Sequence, residues 1–182
     1  MDELNIKIES ELFSINGVEI RNSITENKLI KTIGTPDREV NYRQGYLLYN
    51  GTYIYDRYGM TIEFFHGKGS YMGLILTPKP SFVHPESTPY SIFKGSLIIN
   101  GVEIPRVEKN KESLSKDYIK KLYQTFKVLD GGNLQSTRAD WHYCVVNNVR
   151  IGFQFDYQKT NGLEAIFISF ETRKKKTTKN KL

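Results

Sequence analysis

By type and spacing, the residues best suited to chemistry are Asp140, His142 and Cys144, in the run Asp140-Trp-His142-Tyr-Cys144. On a strand, alternate residues share a face, so these three would line one side. An imidazole beside a thiol can take its proton and leave a nucleophile. Residues two apart on one strand seldom reach the geometry that transfer needs, however, and a lone cysteine is commonly a core residue. His66, His84 and His142 fall in separate segments with no HxxxH, CxxC or HExxH spacing, so no metal site is expected. Gly67-Lys68-Gly69 lacks the rest of a phosphate loop and leads into a strand, so a hairpin turn accounts for it. No GxSxG turn or paired-carboxylate motif is present. The expectation is a protein that is not an enzyme and carries no cofactor.

Binding chemistry is better represented. Tyr42, Tyr46, Tyr49, Tyr53, Tyr55 and Tyr58 fall within 17 residues, with Arg38, Arg43 and Arg57 nearby. Tyrosine and arginine give large contact areas with polar tips and are enriched at protein interfaces. The same mixture can stack on single-stranded nucleic acid, and tyrosines also favour strands simply as half-buried residues.

Charge separates these readings. The net charge is +6, but Arg173-Lys-Lys-Lys-Thr-Thr-Lys-Asn-Lys-Leu182 holds six basic residues and no acid. Residues 1–172 then carry 20 basic and 20 acidic residues. A neutral body counts against nucleic acid, which is usually met by a basic face. The basic end could touch an anionic partner or simply be a solvated tail. A single cysteine excludes an internal disulfide and fits a reducing compartment. No apolar run reaches 18 residues and the first ten carry early acids, so neither a membrane span nor a secretory leader is expected. The expected location is the cytoplasm.

The elements that must position these residues are announced by a repeat. Ile15-Asn-Gly-Val-Glu-Ile20 recurs letter for letter as Ile99-Asn-Gly-Val-Glu-Ile104. Asn-Gly between apolar residues predicts a two-residue type I′ hairpin. Identity beyond the turn points to a duplication. After the first hairpin, Ser23-Ile-Thr-Glu26 reads as a capping box and opens a short helix that stops at Gly34, with Pro36 beyond. After the second, Leu114, Tyr118, Ile119, Leu122, Tyr123 and Phe126 fall on one face of a longer helix. Strand runs follow in each half: 52–56, 60–65 and 71–77, then 141–146, 149–155 and 163–170. The predicted class is therefore α+β, a tandem duplication in which each unit has an N-terminal β-hairpin, one helix and a three-stranded antiparallel meander. Residues 1–88 form the first unit with a Pro-rich connector, and four of the six prolines lie in 78–89. Residues 89–172 form the second unit and 173–182 the basic tail. The two units are expected to pack together with approximate two-fold symmetry.

The INGVEI hairpin, the capped helix ending Ile33-Gly-Thr-Pro-Asp37, the run Tyr53-Ile-Tyr-Asp-Arg-Tyr-Gly59 and Pro89–Ile104 together carry a resemblance. The chain resembles a family of bacterial cytosolic tandem-repeat α+β proteins, some of them candidate immunity proteins beside interbacterial toxin genes. The resemblance covers roughly residues 4–104 and supplies no catalytic residues. It implies a non-enzymatic binder that neutralises a cognate toxin by occluding its active site. The interface anchors expected on that reading are Tyr53, Tyr55, Arg57 and Tyr58, with Asn147, Asn148 and Arg150 at the corresponding turn of the second half. The alternative is a small-ligand or nucleic-acid binding module of the bacterial cytosol.

Overall fold

A computed structural model describes residues 3–9, 11–21, 23–40, 43–44, 47–77, 85–105, 139–146, 149–156 and 162–170. The described residues are mostly β, in two sheets, and this corrects the expected α+β fold with a helix in each unit. Among the described residues there is one α-helix, α1 (Glu26–Ile33), and one short 3-10 turn, η1 (Pro85–Ser87). The second predicted helix, over 114–126, lies outside the described residues. Helical spacing of apolar residues predicts a helix in each unit, but in the described residues the strands decide the architecture. They bury both faces of much of the larger sheet and leave the helix a minor covering element.

The smaller sheet holds β1 (Asn5–Ile8), β2 (Phe13–Ile15), β3 (Val18–Glu19), β9 (Ser96–Ile99) and β10 (Val102–Glu103) in the order β10-β9-β1-β2-β3. Both INGVEI hairpins are present. Asn16 and Gly17 have φ of 49° and 75°, and Asn100 and Gly101 have 48° and 77°, as a type I′ turn requires. They do not head separate units. Strand β1 is inserted between them, antiparallel to β2 and parallel to β9. Ile6 lies opposite Ile15 and Leu97, and Ile8 lies opposite Phe13 and Ile99. Exchanging Ile6 with Ile8 therefore exchanges the two hairpins, which are related by a local two-fold axis through Lys7.

The larger sheet joins the two meanders. The first is β6 (Leu47–Tyr55), β7 (Met60–Phe65) and β8 (Lys68–Ile75), flanked by β4 (Arg38–Val40) and β5 (Arg43–Gln44). The second is β11 (Ala139–Val146), β12 (Val149–Asp156) and β13 (Leu163–Ser169). The order is β11-β12-β13-β8-β7-β6-β4, with β5 paired to β6. The last strands of the two meanders, β13 and β8, pair antiparallel at the centre, with Phe167 opposite Gly73. Each sheet thus takes strands from both halves of the chain.

One face of the larger sheet carries Tyr55, Met60, Ile62, Met72, Leu74, Ile151, Phe153, Ile166 and Ile168, all at most 1% exposed. These join one core with Leu4, Ile6, Ile8, Ile15 and Ile99 of the smaller sheet and with Leu29 and Ile33 of α1. Each such side chain contributes about 1.5–3 kcal/mol on burial. Thr25, not Ser23, caps α1. Its backbone is extended and its side chain accepts from Lys28 N at 3.4 Å. Ile24 is fully buried and its carbonyl accepts from Gly69 N, so the chain stays extended two residues past Ser23 before it can turn. The helix stops at Gly34.

Candidate functional site

The opposite face of the larger sheet builds the site. Alternation along β11 sends Cys144 and Val146 into the core and sets Trp141, Tyr143 and Val145 on the other side. Registers extend this face into rows that cross β11, β12, β13 and β8. One row runs Tyr143, Gly152, Phe167, Gly73. Continuing the register one pair toward the strand ends gives Val145, Arg150, Ser169, Tyr71.

Two glycines in strand interiors shape the surface, because each has an aromatic ring lying over it. A Cβ on Gly152 would stand 3.2 Å from the Trp141 ring, and one on Gly73 would stand 3.2 Å from Phe167. Trp141 and Phe167 are themselves in contact, with centroids 5.1 Å apart and planes tilted by 35°. The result is an open groove of about 280 Å³ whose lining includes Trp141, Tyr143, Arg150, Gly152, Phe167 and Tyr71. The Arg150 guanidinium lies 4.1 Å from the centre of the Tyr143 ring, a cation–π contact. Tyr71 is 42% exposed and Val145 43%, two of the four large hydrophobic residues exposed among those described. The groove is thus aromatic, carries one fixed positive charge and is bordered by exposed apolar side chains.

Arg150 is the one expected anchor that falls in this groove. Asn147 and Asn148, at the β11–β12 turn, lie outside the described residues. The other four cluster around the β6–β7 turn and are used internally. Tyr55 is fully buried and its hydroxyl donates to Gly34 O at 3.2 Å. Tyr53 is 8% exposed, packs on Phe64 and donates its hydroxyl to Glu26. Burial pushes both phenols well above the usual tyrosine range, so both stay protonated. Arg57 pairs with Asp37 at 2.6 Å and donates to Ile33 O at 3.3 Å and Thr35 O at 2.5 Å, closing the end of α1. Its guanidinium lies 5.3 Å from the centre of the Tyr55 ring and 5.1 Å from that of Tyr58, and Tyr58 packs partly buried against the core. The tyrosine-rich segment of 42–58 thus supplies core and helix-capping groups from the described part of its length.

Cys144 is fully buried in the core, and burial pushes its thiol up to about 12. It stays protonated at neutral pH and is a poor nucleophile. His142 stands edge-on to the Phe155 ring at 5.7 Å. No group of three or more potential metal ligands is found among the described residues, and no described helix is long and apolar enough to cross a membrane.

The groove could have been found from the sequence by one signal. Gly73 and Gly152 interrupt strong strand patterns, and a glycine inside a strand often marks close approach of another group. That Phe167 covers Gly73 depends on register between strands far apart in the chain, and that is not legible in the letters.

The family model described as Domain of unknown function (DUF7738) matches residues 5–114. The match spans both INGVEI hairpins, α1 and the first meander, and it ends before β11. No curated protein and no solved structure matches the chain.

Proposed function

The chain belongs to the DUF7738 family, a family of unknown function, and we propose that it is a non-enzymatic protein-binding module. Its role on this reading is that of a bacterial immunity protein, held in the cytoplasm, that occludes the active site of a toxic effector. The observation that carries the binding reading is the groove of Trp141, Tyr143, Arg150, Phe167 and Tyr71. Aromatic residues and arginine are the residue types that anchor protein interfaces, and this groove presents them on a sheet, a rigid support. The buried, protonated Cys144 supports the non-enzymatic part. The immunity part rests on the resemblance carried by the INGVEI hairpins and their neighbours.

Expression of the tagged chain and of its Tyr143→Ala variant in the source cell, followed by capture, tests this reading. A stoichiometric partner held by the wild type, lost by the variant, and toxic when expressed without this chain is the expected result. Capture of no partner, or of a partner that is harmless alone, overturns the immunity role. A second reading, a small-ligand module, draws on the groove's volume, which is sufficient for one aromatic ring with substituents. Nucleic-acid binding would appear instead as salt-sensitive retention of DNA or RNA, lost on deletion of 173–182.

A further inference from the structure

The groove's composition narrows what it can accept. Among the described residues Arg150 is its one fixed charge and joins none of the ion pairs. The Tyr143 ring shields one side of the guanidinium, which lowers its exposure to water without neutralising it. A guanidinium in that setting pairs best with a planar carboxylate, which it can meet with two parallel hydrogen bonds. Beside it, the Trp141 ring lies over Gly152, where no side chain holds it off, and with Phe167 forms the aromatic wall of a slot. A flat ring is the shape that fills such a slot, by offset or edge contacts with Trp141 and Phe167.

Extent separates a protein segment from other occupants. The row Val145, Arg150, Ser169, Tyr71 crosses four strands, about 14 Å at ordinary strand spacing. Both of its ends are exposed apolar side chains. A single small ring would leave those ends uncovered, whereas a peptide segment continues past the ring to reach them. Among the described residues that line the groove there is one positive charge, and a polyanion is met by several basic groups.

Resting on the protein-binding reading, we infer that the groove accepts an acidic–aromatic segment of the partner. One aromatic side chain packs on the Trp141 ring where that ring covers Gly152, and a neighbouring aspartate or glutamate pairs with Arg150. Specificity then resides in a single ring and a single charge, on strands that lie beyond the DUF7738 match.

Trp141 is the only tryptophan of the chain and lines the groove, so its emission reports occupancy directly. The full chain would be titrated with three blocked, tryptophan-free pentapeptides. These are glycine–aspartate–tyrosine–glutamate–glycine, the same peptide with both acids replaced by lysine, and the acidic peptide with tyrosine replaced by alanine. The expected result is a saturable change with the first, binding weaker by about five-fold or more with the lysine peptide, and no saturation with the alanine peptide. Arg150 is exposed, so Arg150→Glu keeps the fold and should reverse the preference toward lysine. Gly152→Ala, in extended strand backbone, places a methyl 3.2 Å from the Trp141 ring, displaces that ring and should weaken the first peptide. Equal binding of the three peptides, binding of none, or indifference to both substitutions overturns the inference. A captured partner that Tyr143→Ala loses but Arg150→Glu retains would also overturn it, while the protein-binding reading stands. Absence of any partner would remove that reading instead.

Discussion

Asn16 and Asn100 hold the same left-handed backbone, φ 49° and 48°, at the tips of two identical hairpins, yet they are tied into the molecule differently. Asn16 Oδ1 accepts from Asn5 N at 2.9 Å, and its Nδ2 donates to Thr32 O, in the last turn of α1, at 3.3 Å. Among the described residues no side-chain hydrogen bond joins Asn100, whose backbone N–H donates to Ile8 O at 2.8 Å. The same letters therefore clamp strand to helix at one end of the sheet and only turn the chain at the other.

Asn16→Ala should cost about 2 kcal/mol, from loss of the left-handed preference and of two partly solvated hydrogen bonds. Asn100→Ala should cost about 1 kcal/mol, from the turn preference alone. Urea unfolding of the two variants decides this. Equal losses would mean that the tie to Thr32 contributes nothing.

A second prediction concerns acid. Asp56 accepts from Arg38 Nε at 2.7 Å, from Arg38 Nη2 at 2.9 Å and from Tyr90 N at 2.7 Å. Arg38 also donates to Glu86 O and Thr88 O and lies 4.0 Å from the Tyr90 ring, so the pair fastens 86–90 to the β6–β7 turn. Hydrogen bonding to Arg38 holds the Asp56 carboxyl below its ordinary 3.8, against the opposing effect of burial. A depressed folded value means that this stabilisation is complete above the unfolded value and is lost as pH falls through the folded one. Asp56→Asn should be less stable by about 2 kcal/mol at pH 7, since it leaves the Arg38 charge partly buried. The difference from wild type should shrink below pH 3.8. Parallel stability curves down to pH 2 would refute this.

The thiol gives a third test. With Cys144 fully buried and its ionisation pushed up to about 12, disulfide reagents at pH 7.5 should react only through opening of the core. The expected native reaction is slower than the urea-unfolded one by several orders of magnitude, in proportion to the opening equilibrium. A fast stoichiometric reaction in the folded protein would restore the thiol as a chemical group. Cys144→Ser should cost about 2 kcal/mol by placing a hydroxyl in an apolar core.

The fourth concerns Gly59, which has φ +67° at the end of Tyr55-Asp-Arg-Tyr-Gly59. A Cβ there would lie 2.1 Å from the Ile92 carbonyl carbon and 2.3 Å from Phe93 N, both backbone atoms. Neither can rotate away, and Phe93 N is bonded to Ile75 O. Gly59→Ala should lose more than about 3 kcal/mol and accumulate as unfolded or insoluble protein. A well-folded variant with a normal melting temperature would show that the 85–95 segment moves freely against the turn.

The amino-acid sequence by itself determined the local geometry. Asn-Gly set two type I′ hairpins because few residue pairs tolerate two positive φ values. Apolar strand runs bounded by turn residues marked both meanders, and the stop at Gly34 followed from its missing Cβ. Tertiary structure decided what those pieces became. Whether two hairpins head two units or flank β1 in one sheet depends on pairing of residues about 90 apart, such as Ile6 with Leu97. No local propensity records such long-range pairing. Among the described residues helix is a minor element for the same reason, since the strands of both halves merge across β8 and β13 into a sheet that supplies most of the core. The tyrosines show the limit most plainly. Composition marked Tyr53 and Tyr55 as binding residues, and the smaller sheet and α1 closed over them. Trp141, Tyr143 and Phe167 looked like ordinary strand residues until register laid them around Gly152 on the other face of the sheet.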